Sequence, residues 1–249
     1  MSTTGQGSFG SSKNIVNGKT EPDHLLVLVH GILASPSDWT YVEAELKRRL
    51  GRNFLIYASS CNTYTKTSAG IDGAGKRLAD EVKQVVKRTE SLKRISFLAH
   101  SVRGLFARYA VAVLYSPNNL IGSQSDDVAE STGKSETSCP SRQGMIAGLE
   151  PINFITLASP HLGVRRRKQV CSVGSALGAF RCRIVYANVS YDHMVGWRTS
   201  SVRRETELVK PPLRSLDGYK HVVDVEYCPS VSSDGPRFPP EAIKAKEAA

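Results

Sequence analysis

Ser101 closes the run Ile95-Ser96-Phe97-Leu98-Ala99-His100-Ser101-Val102-Arg103-Gly104, in which a short apolar strand leads straight into a helical segment. This is the setting that a nucleophilic serine needs. A sharp strand-to-helix turn lifts the hydroxyl off the sheet, and the amide of the next residue, Val102, points to where an oxyanion develops. The usual spelling of such an elbow is G-x-S-x-G, because small residues on both sides of the serine let helix and strand approach closely. Here those places hold Ala99 and Arg103. Alanine is a mild change, whereas arginine puts a long cation beside the nucleophile, to attract a lipid phosphate or to obstruct the site. A second oxyanion donor comes from the loop after a strand that carries His-Gly, and Val29-His30-Gly31-Ile32 has that placing, with the Ile32 amide as donor. Each such donor contributes roughly 10²–10³ in rate where it has been removed. His30 reads as the brace of that loop, and His100 as a hydrogen-bonded core residue on the far side of its strand.

The elements that must hold these groups follow from apolar runs and their spacing. Leu25 to Val29 is a continuous apolar run, the pattern of a strand covered on both faces. Ser35-Pro36-Ser37-Asp38 reads as a helix start, with serine as cap and proline at the first helical position. Trp39, Val42, Leu46 and Leu50 share one helical face, and Gly51 stops the helix. Phe54 to Ala58 is a second strand. Leu78, Val82, Val85 and Val86 mark the buried side of the next helix, and Ile95 to Ala99 is the third strand. Leu105, Tyr109 and Val113 line the helix behind Ser101. Ile152 to Ala158 is a fourth strand and Arg183 to Val189 a fifth. Strands alternating with helices predict an α/β fold, a mostly parallel central sheet with helices on both faces. Residues 1–20 read as a disordered tail, 21–228 as the folded domain, 116–144 as a mobile surface excursion within it, and 229–249 as a Pro-rich tail with a short helix.

Composition narrows the class of partners. Hydrophobic residues make up 40% and charged residues 22% of the 249, ordinary values for a globular domain. The formal charge is +10, and residues 164–214 hold eleven Lys or Arg against three Asp or Glu, a net +8. That stretch reads as a solvated basic face or loop, or else as a surface for an anionic membrane; no nucleic-acid motif accompanies it, and no nucleic-acid partner is expected. The five cysteines (Cys61, Cys139, Cys171, Cys182, Cys228) are odd in number and lack C-x-x-C spacing. They indicate neither a zinc site nor a disulfide framework, and no metal and no cofactor is expected. The expectation is an intracellular protein, cytoplasmic or peripheral to an internal membrane. A plastid is left open by an N-terminus that lacks acids but also lacks arginine.

The segments Leu25 to Trp39, Ile95 to Tyr115 and Ile152 to Arg167, the last with Ser159-Pro160-His161-Leu162-Gly163, resemble the lipase-like putative serine esterase family of the α/β-hydrolases. Cys182 to Gly196 looks like the plant branch of that family. The resemblance implies an α/β-hydrolase-like fold, hydrolysis of lipid or other esters, and Ser101 as nucleophile. It also implies that the acid of the triad follows the strand after the Pro-His-Leu-Gly segment, which is where Asp192 lies. The triad order Ser, acid, His of this fold independently favours an acid at the end of a late strand. The histidine does not match: only His193 and His221 follow Asp192, His193 is its immediate neighbour, and His221 is left as the candidate base. Relatives place the base after one further strand and carry a longer cap region where Arg165 to Gly178 stands here. The expectation is therefore a C-terminally incomplete hydrolase fold with impaired activity, or a non-catalytic protein that binds a lipid or a partner in the same pocket.

Overall fold

The computed structural model describes residues 21–31, 36–62, 70–117, 144–161, 176–203, 206, 208–209 and 221–227. Two compact units result, Met1–Leu208 and Val209–Ala249. Residues 1–20, nearly all of the 116–144 excursion and the 229–249 tail lie outside the described residues.

The first unit is built on five parallel strands in the order β2-β1-β3-β6-β7. They are β1 (His24–Val29), β2 (Phe54–Ala58), β3 (Arg94–His100), β6 (Glu150–Leu157) and β7 (Cys182–Tyr186). Between them run α1 (Thr40–Leu50), α2 (Gly70–Arg88) and α3 (Arg103–Leu114). A short antiparallel ribbon, β4 (Tyr115–Ser116) with β5 (Met145–Ile146), joins the two ends of the excursion after α3.

Strand alternation assigns the two faces. Leu25, Val27 and Val29 of β1 join Ile95, Phe97 and Ala99 of β3 in a core with Leu78 and Val82 of α2 and Phe106 and Ala110 of α3. Leu26 and Leu28 point the other way, into a smaller cluster with Trp39, Ile56 and the partly buried Val42, Leu46 and Leu50 of α1. β1 is fully buried because apolar side chains leave it in both directions, as its unbroken apolar run predicts. The alternating βα order and the two covered faces make this the α/β fold with a mostly parallel central sheet that the sequence predicts.

Several boundaries differ from the sequence reading: β6 runs Glu150–Leu157 rather than Ile152 to Ala158, and β1 and β3 extend by a residue beyond the apolar runs. The segment after Pro36 opens as a 3₁₀ turn, Pro36–Trp39, before α1 begins, and Gly51 ends α1 at φ +74°. β7 stops at Tyr186 rather than Val189, since its partner β6 ends at Leu157, which pairs with Tyr186. Beyond that pair the edge strand has no ladder to join. α4 (Trp197–Ser200) follows.

Candidate active site

Ser101 sits at the carboxyl end of β3 with φ 58°, the left-handed conformation that few non-glycine residues adopt. Holding it there costs about 1–3 kcal/mol, and the neighbouring backbone imposes it. Its N–H donates to the Leu157 carbonyl of the adjacent strand at 2.9 Å, and its own carbonyl accepts from the Gly104 N–H at 3.0 Å. Val102 is the first turn's flanking residue on α3, so its amide belongs to the helix end where N–H groups lack intrahelical acceptors. The elbow is thus assembled from two strand ends and a helix start.

The helix approaches the sheet most closely at Gly104. A Cβ placed there would lie 2.0 Å from Ser159 Oγ and 2.8 Å from Ser159 Cβ. The small residue this elbow requires is therefore three positions after the serine, and Arg103 occupies a place that does not need one. Arg103 is 1% exposed. Its Nη1 donates to Nε2 of His30 at 3.3 Å, and its Nε and Nη2 have no hydrogen-bond partner among the described residues. It is not among the residues that line the pocket. Neither obstruction nor capture of a substrate phosphate describes it; the cation runs beneath the loop after β1.

Ser101 opens onto a pocket of about 510 Å³, lined by His30, Gly31, Asp38, Trp39, Val42, His100, Leu157, Ala158, Asp192, Met194 and Val195. Asp192 follows β7 and reaches this pocket. Its Oδ1 accepts from the N–H groups of Met194 at 2.9 Å and Val195 at 2.8 Å, and its Oδ2 from Asn188 Nδ2 at 2.6 Å. The two backbone donors and Asn188 hold its carboxyl below the ordinary aspartate range, so it is ionised at neutral pH. The structure thus brings Ser101 and Asp192 to one cavity from segments 91 positions apart in the chain. Gly31 lines the same cavity; Ile32 lies outside the described residues.

The histidines distribute differently from the sequence reading. His100 is exposed and lines the pocket, instead of lying in the core on the far side of its strand. It is the last residue of β3, at the rim of the sheet, where alternation no longer puts a covered face on either side. Partial loss of hydration against the pocket wall lowers its pKa, and the Asp192 charge acts in the opposite direction. His193 is exposed beside Asp192. His221 belongs to the unit Val209–Ala249 and is exposed there, in a turn followed by irregular backbone to Tyr227. His161, which no role was read for, accepts from Arg108 Nη1 at 3.3 Å and pairs with Thr156 Oγ1 at 3.0 Å. Burial and the Arg108 charge press its pKa down to about 4. Among the described residues no group of three His, Cys, Asp or Glu is placed to hold a metal ion.

Behind the loop after β1 lies a polar knot that the sequence did not signal. Glu81 of α2 accepts from Tyr57 Oη at 3.0 Å, from the Ser60 N–H at 2.8 Å and from the Ser59 hydroxyl. Burial alone would raise its carboxyl, but the hydrogen bonds from Ser59, Ser60, Cys61 and Tyr57 outweigh that and leave it below the ordinary range. The same enclosure pushes the Cys61 thiol up to about 12.

Residues 19–175 match a family model described as "Putative serine esterase (DUF676)". Two proteins of Saccharomyces cerevisiae are similar over part of the chain. "Putative lipase ROG1" is 28% identical over 145 residues, which is 57% of this chain and 18% of that protein. "Putative lipase YDR444W" is 26% identical over 155 residues, 58% of this chain and 19% of that protein. The chain therefore spans about a fifth of the length of these relatives. Among solved structures, the mature form of Bacillus licheniformis lipase BlEst2 is similar at 18% identity and a TM-score of 0.34, covering 57% of this chain and 42% of that one. Phospholipase PlaB from Legionella pneumophila is similar at 16% identity and a TM-score of 0.35, covering 57% and 26%.

Proposed function

Because the chain belongs to the DUF676 putative serine esterase family, we propose that it is a hydrolase of lipid esters that works by acyl transfer through Ser101. The observation that carries this reading is the positive-φ serine at a pocket shared with Gly31 of the loop after β1 and with the ionised Asp192. In this reading Ser101 Oγ attacks the ester carbonyl carbon, and the negative charge that forms on the carbonyl oxygen faces the Val102 amide and the loop after β1. Collapse of the adduct breaks the bond to the alcohol and leaves an acyl-serine, which water then hydrolyses. The serine proton passes to an imidazole and on to the departing alkoxide, while Asp192 orients that imidazole and stabilises its charged form.

Among the described residues no imidazole hydrogen-bonds the Asp192 carboxylate. His30 lines the pocket with both ring nitrogens engaged, by the Gly31 carbonyl and by Arg103. His100 stands beside the serine on the same strand end. His221 keeps its candidacy on sequence grounds. We infer that this site is slow, lacking general-base assistance worth roughly 10²–10⁴ in rate. The test is labelling of the full chain by a fluorophosphonate probe. Slow labelling, abolished in Ser101→Ala and accelerated by free imidazole in the buffer, is the expected result. No labelling of a folded protein overturns the hydrolase reading in favour of a lipid-binding pocket without turnover; labelling indifferent to imidazole overturns the impairment. Slower labelling of His221→Ala would assign that residue as the base.

The basic segment 164–214 extends the proposal to an anionic membrane surface inside the cell. Salt-sensitive binding to phosphatidylserine vesicles is expected, and equal binding to neutral vesicles overturns it.

A further inference from the structure

Arg103 and His30 form a buried pair across 73 positions of sequence, and the chemistry of the pair has only one consistent form. His30 is 1% exposed and Arg103 equally so. An arginine carries no acceptor, so its Nη1 donates and Nε2 of His30 accepts, at 3.3 Å. The other ring nitrogen, Nδ1, lies 3.2 Å from the Gly31 carbonyl, which only accepts. The imidazole is therefore neutral with its proton on Nδ1. A second proton on Nε2 would set two donors face to face beside a cation that has no other charge to balance it.

We propose that Arg103 is a positioning residue for His30 and Gly31 at the end of β1: by donating to Nε2 it fixes the tautomer of His30, whose Nδ1–H holds the Gly31 carbonyl, so that α3 is tied to this wall of the pocket only while His30 stays uncharged. The link runs from the first residue of α3, two positions after the nucleophile, into the wall of the pocket that faces it. The arginine that replaces the elbow's usual glycine thereby ties the serine's helix to the loop across from it. It also makes the brace acid-sensitive. The charged groups that act on His30 are Arg103 from α3, which with burial lowers its pKa, and Asp38 of the 3₁₀ turn and Glu81 of α2, which act in the opposite sense. Cys61 acts on Arg103, but its thiol is neutral at ordinary pH.

The proposal rests on the hydrolase reading for the purpose of the loop, and not for the pair itself. Nitrogen NMR of the histidine-labelled full chain tests the pair without any activity. In the wild type His30 should carry its proton on Nδ1 at neutral pH and titrate below the ordinary imidazole range. Arg103→Met should raise its proton affinity roughly tenfold or more, and Arg103→Lys, which keeps a charged donor, should not. His161, paired with Arg108 farther along α3, should be unmoved by either change. A proton on Nε2 of His30 in the wild type overturns the proposal, and this needs no variant to fold. So does a His30 that titrates alike in wild type and Arg103→Met. For the loop, the acid limb of fluorophosphonate labelling at Ser101 should follow the His30 titration and move to higher pH in Arg103→Met, with Arg103→Lys restoring the wild-type profile. An acid limb that stays put while His30 moves overturns the positioning role. If no form labels at all, the hydrolase reading falls while the NMR result still decides the pair.

Discussion

Replacing Gly104 by alanine should separate the nucleophile's helix from the sheet, and the structure gives the size of the disturbance. The added Cβ would stand 2.0 Å from Ser159 Oγ, 2.8 Å from Ser159 Cβ and 3.3 Å from Thr156 Cγ2. Rotation of the serine side chain can relieve the first contact. It cannot relieve the second, because that carbon is fixed by the backbone, so α3 or the β6 end must move by about 1 Å to reach ordinary contact distance. Ser159 is fully buried and Thr156 is 1% exposed, which leaves neither room to retreat. Overpacking of this kind costs about 1–3 kcal/mol, partly offset by the roughly 1 kcal/mol that alanine gains over glycine in a helix. The difference is a net loss of up to about 2 kcal/mol, which lowers the melting temperature of a domain this size by up to roughly 8 °C. The Gly104 N–H donates to the Ser101 carbonyl, so the same shift should slow fluorophosphonate labelling. Ser159→Gly removes both obstructing atoms, and in the double variant most of the loss should return as a coupling of about 1 kcal/mol or more. Gly31→Ala is the contrast: its Cβ meets His100 Nδ1 at 2.8 Å, but that imidazole is exposed and free to rotate. It should melt close to the wild type. Calorimetry of the wild type, Gly104→Ala, Ser159→Gly, the double variant and Gly31→Ala is the assay. Additive effects of Gly104→Ala and Ser159→Gly in the cycle would refute the close-approach argument.

Glu81→Gln should destabilise by about 1–3 kcal/mol, since one amide cannot accept everything that Tyr57, Ser59 and Ser60 now donate to the carboxylate. Because the folded pKa of Glu81 is depressed, its contribution is present above the ordinary glutamate range and lost as pH falls below it, so denaturant midpoints of the variant should be less acid-sensitive there. His161 acts at higher pH. Its folded pKa of about 4 lies below the unfolded value of 6.5, so the unfolded chain takes up the proton first and stability falls as pH drops from 6.5 toward 4. The loss at the bottom of that window is on the order of 3 kcal/mol, and an unchanged midpoint across it would contradict the reading. Of the two free cysteines described, exposed Cys182 should be alkylated by iodoacetamide well before Cys61, whose thiol is pushed up to about 12; peptide mass mapping at short times checks the order.

The sequence by itself determined the five strands of the parallel sheet, their succession along the chain and the strand-to-helix turn that holds Ser101. Unbroken apolar runs such as Leu25 to Val29 can be satisfied only between two covered faces, and Ser101 at a strand end followed by an apolar helix leaves one local geometry open. These are properties of neighbouring residues, and periodicity records them. What only the tertiary structure decided are contacts between segments far apart in the chain. Ala99-His100-Ser101 says nothing of where β3 ends relative to its neighbours, so alternation placed His100 in the core when the rim of the sheet exposes it. Arg103 looked like a disturbance of the elbow because the helix's close approach was assigned to its position. The chain makes that approach at Gly104, against Ser159, and turns the arginine under a histidine 73 residues earlier. Periodicity specifies which way a side chain leaves its own element. What it meets there is set by how the elements stack, and for Arg103 that difference separates an obstruction from a brace.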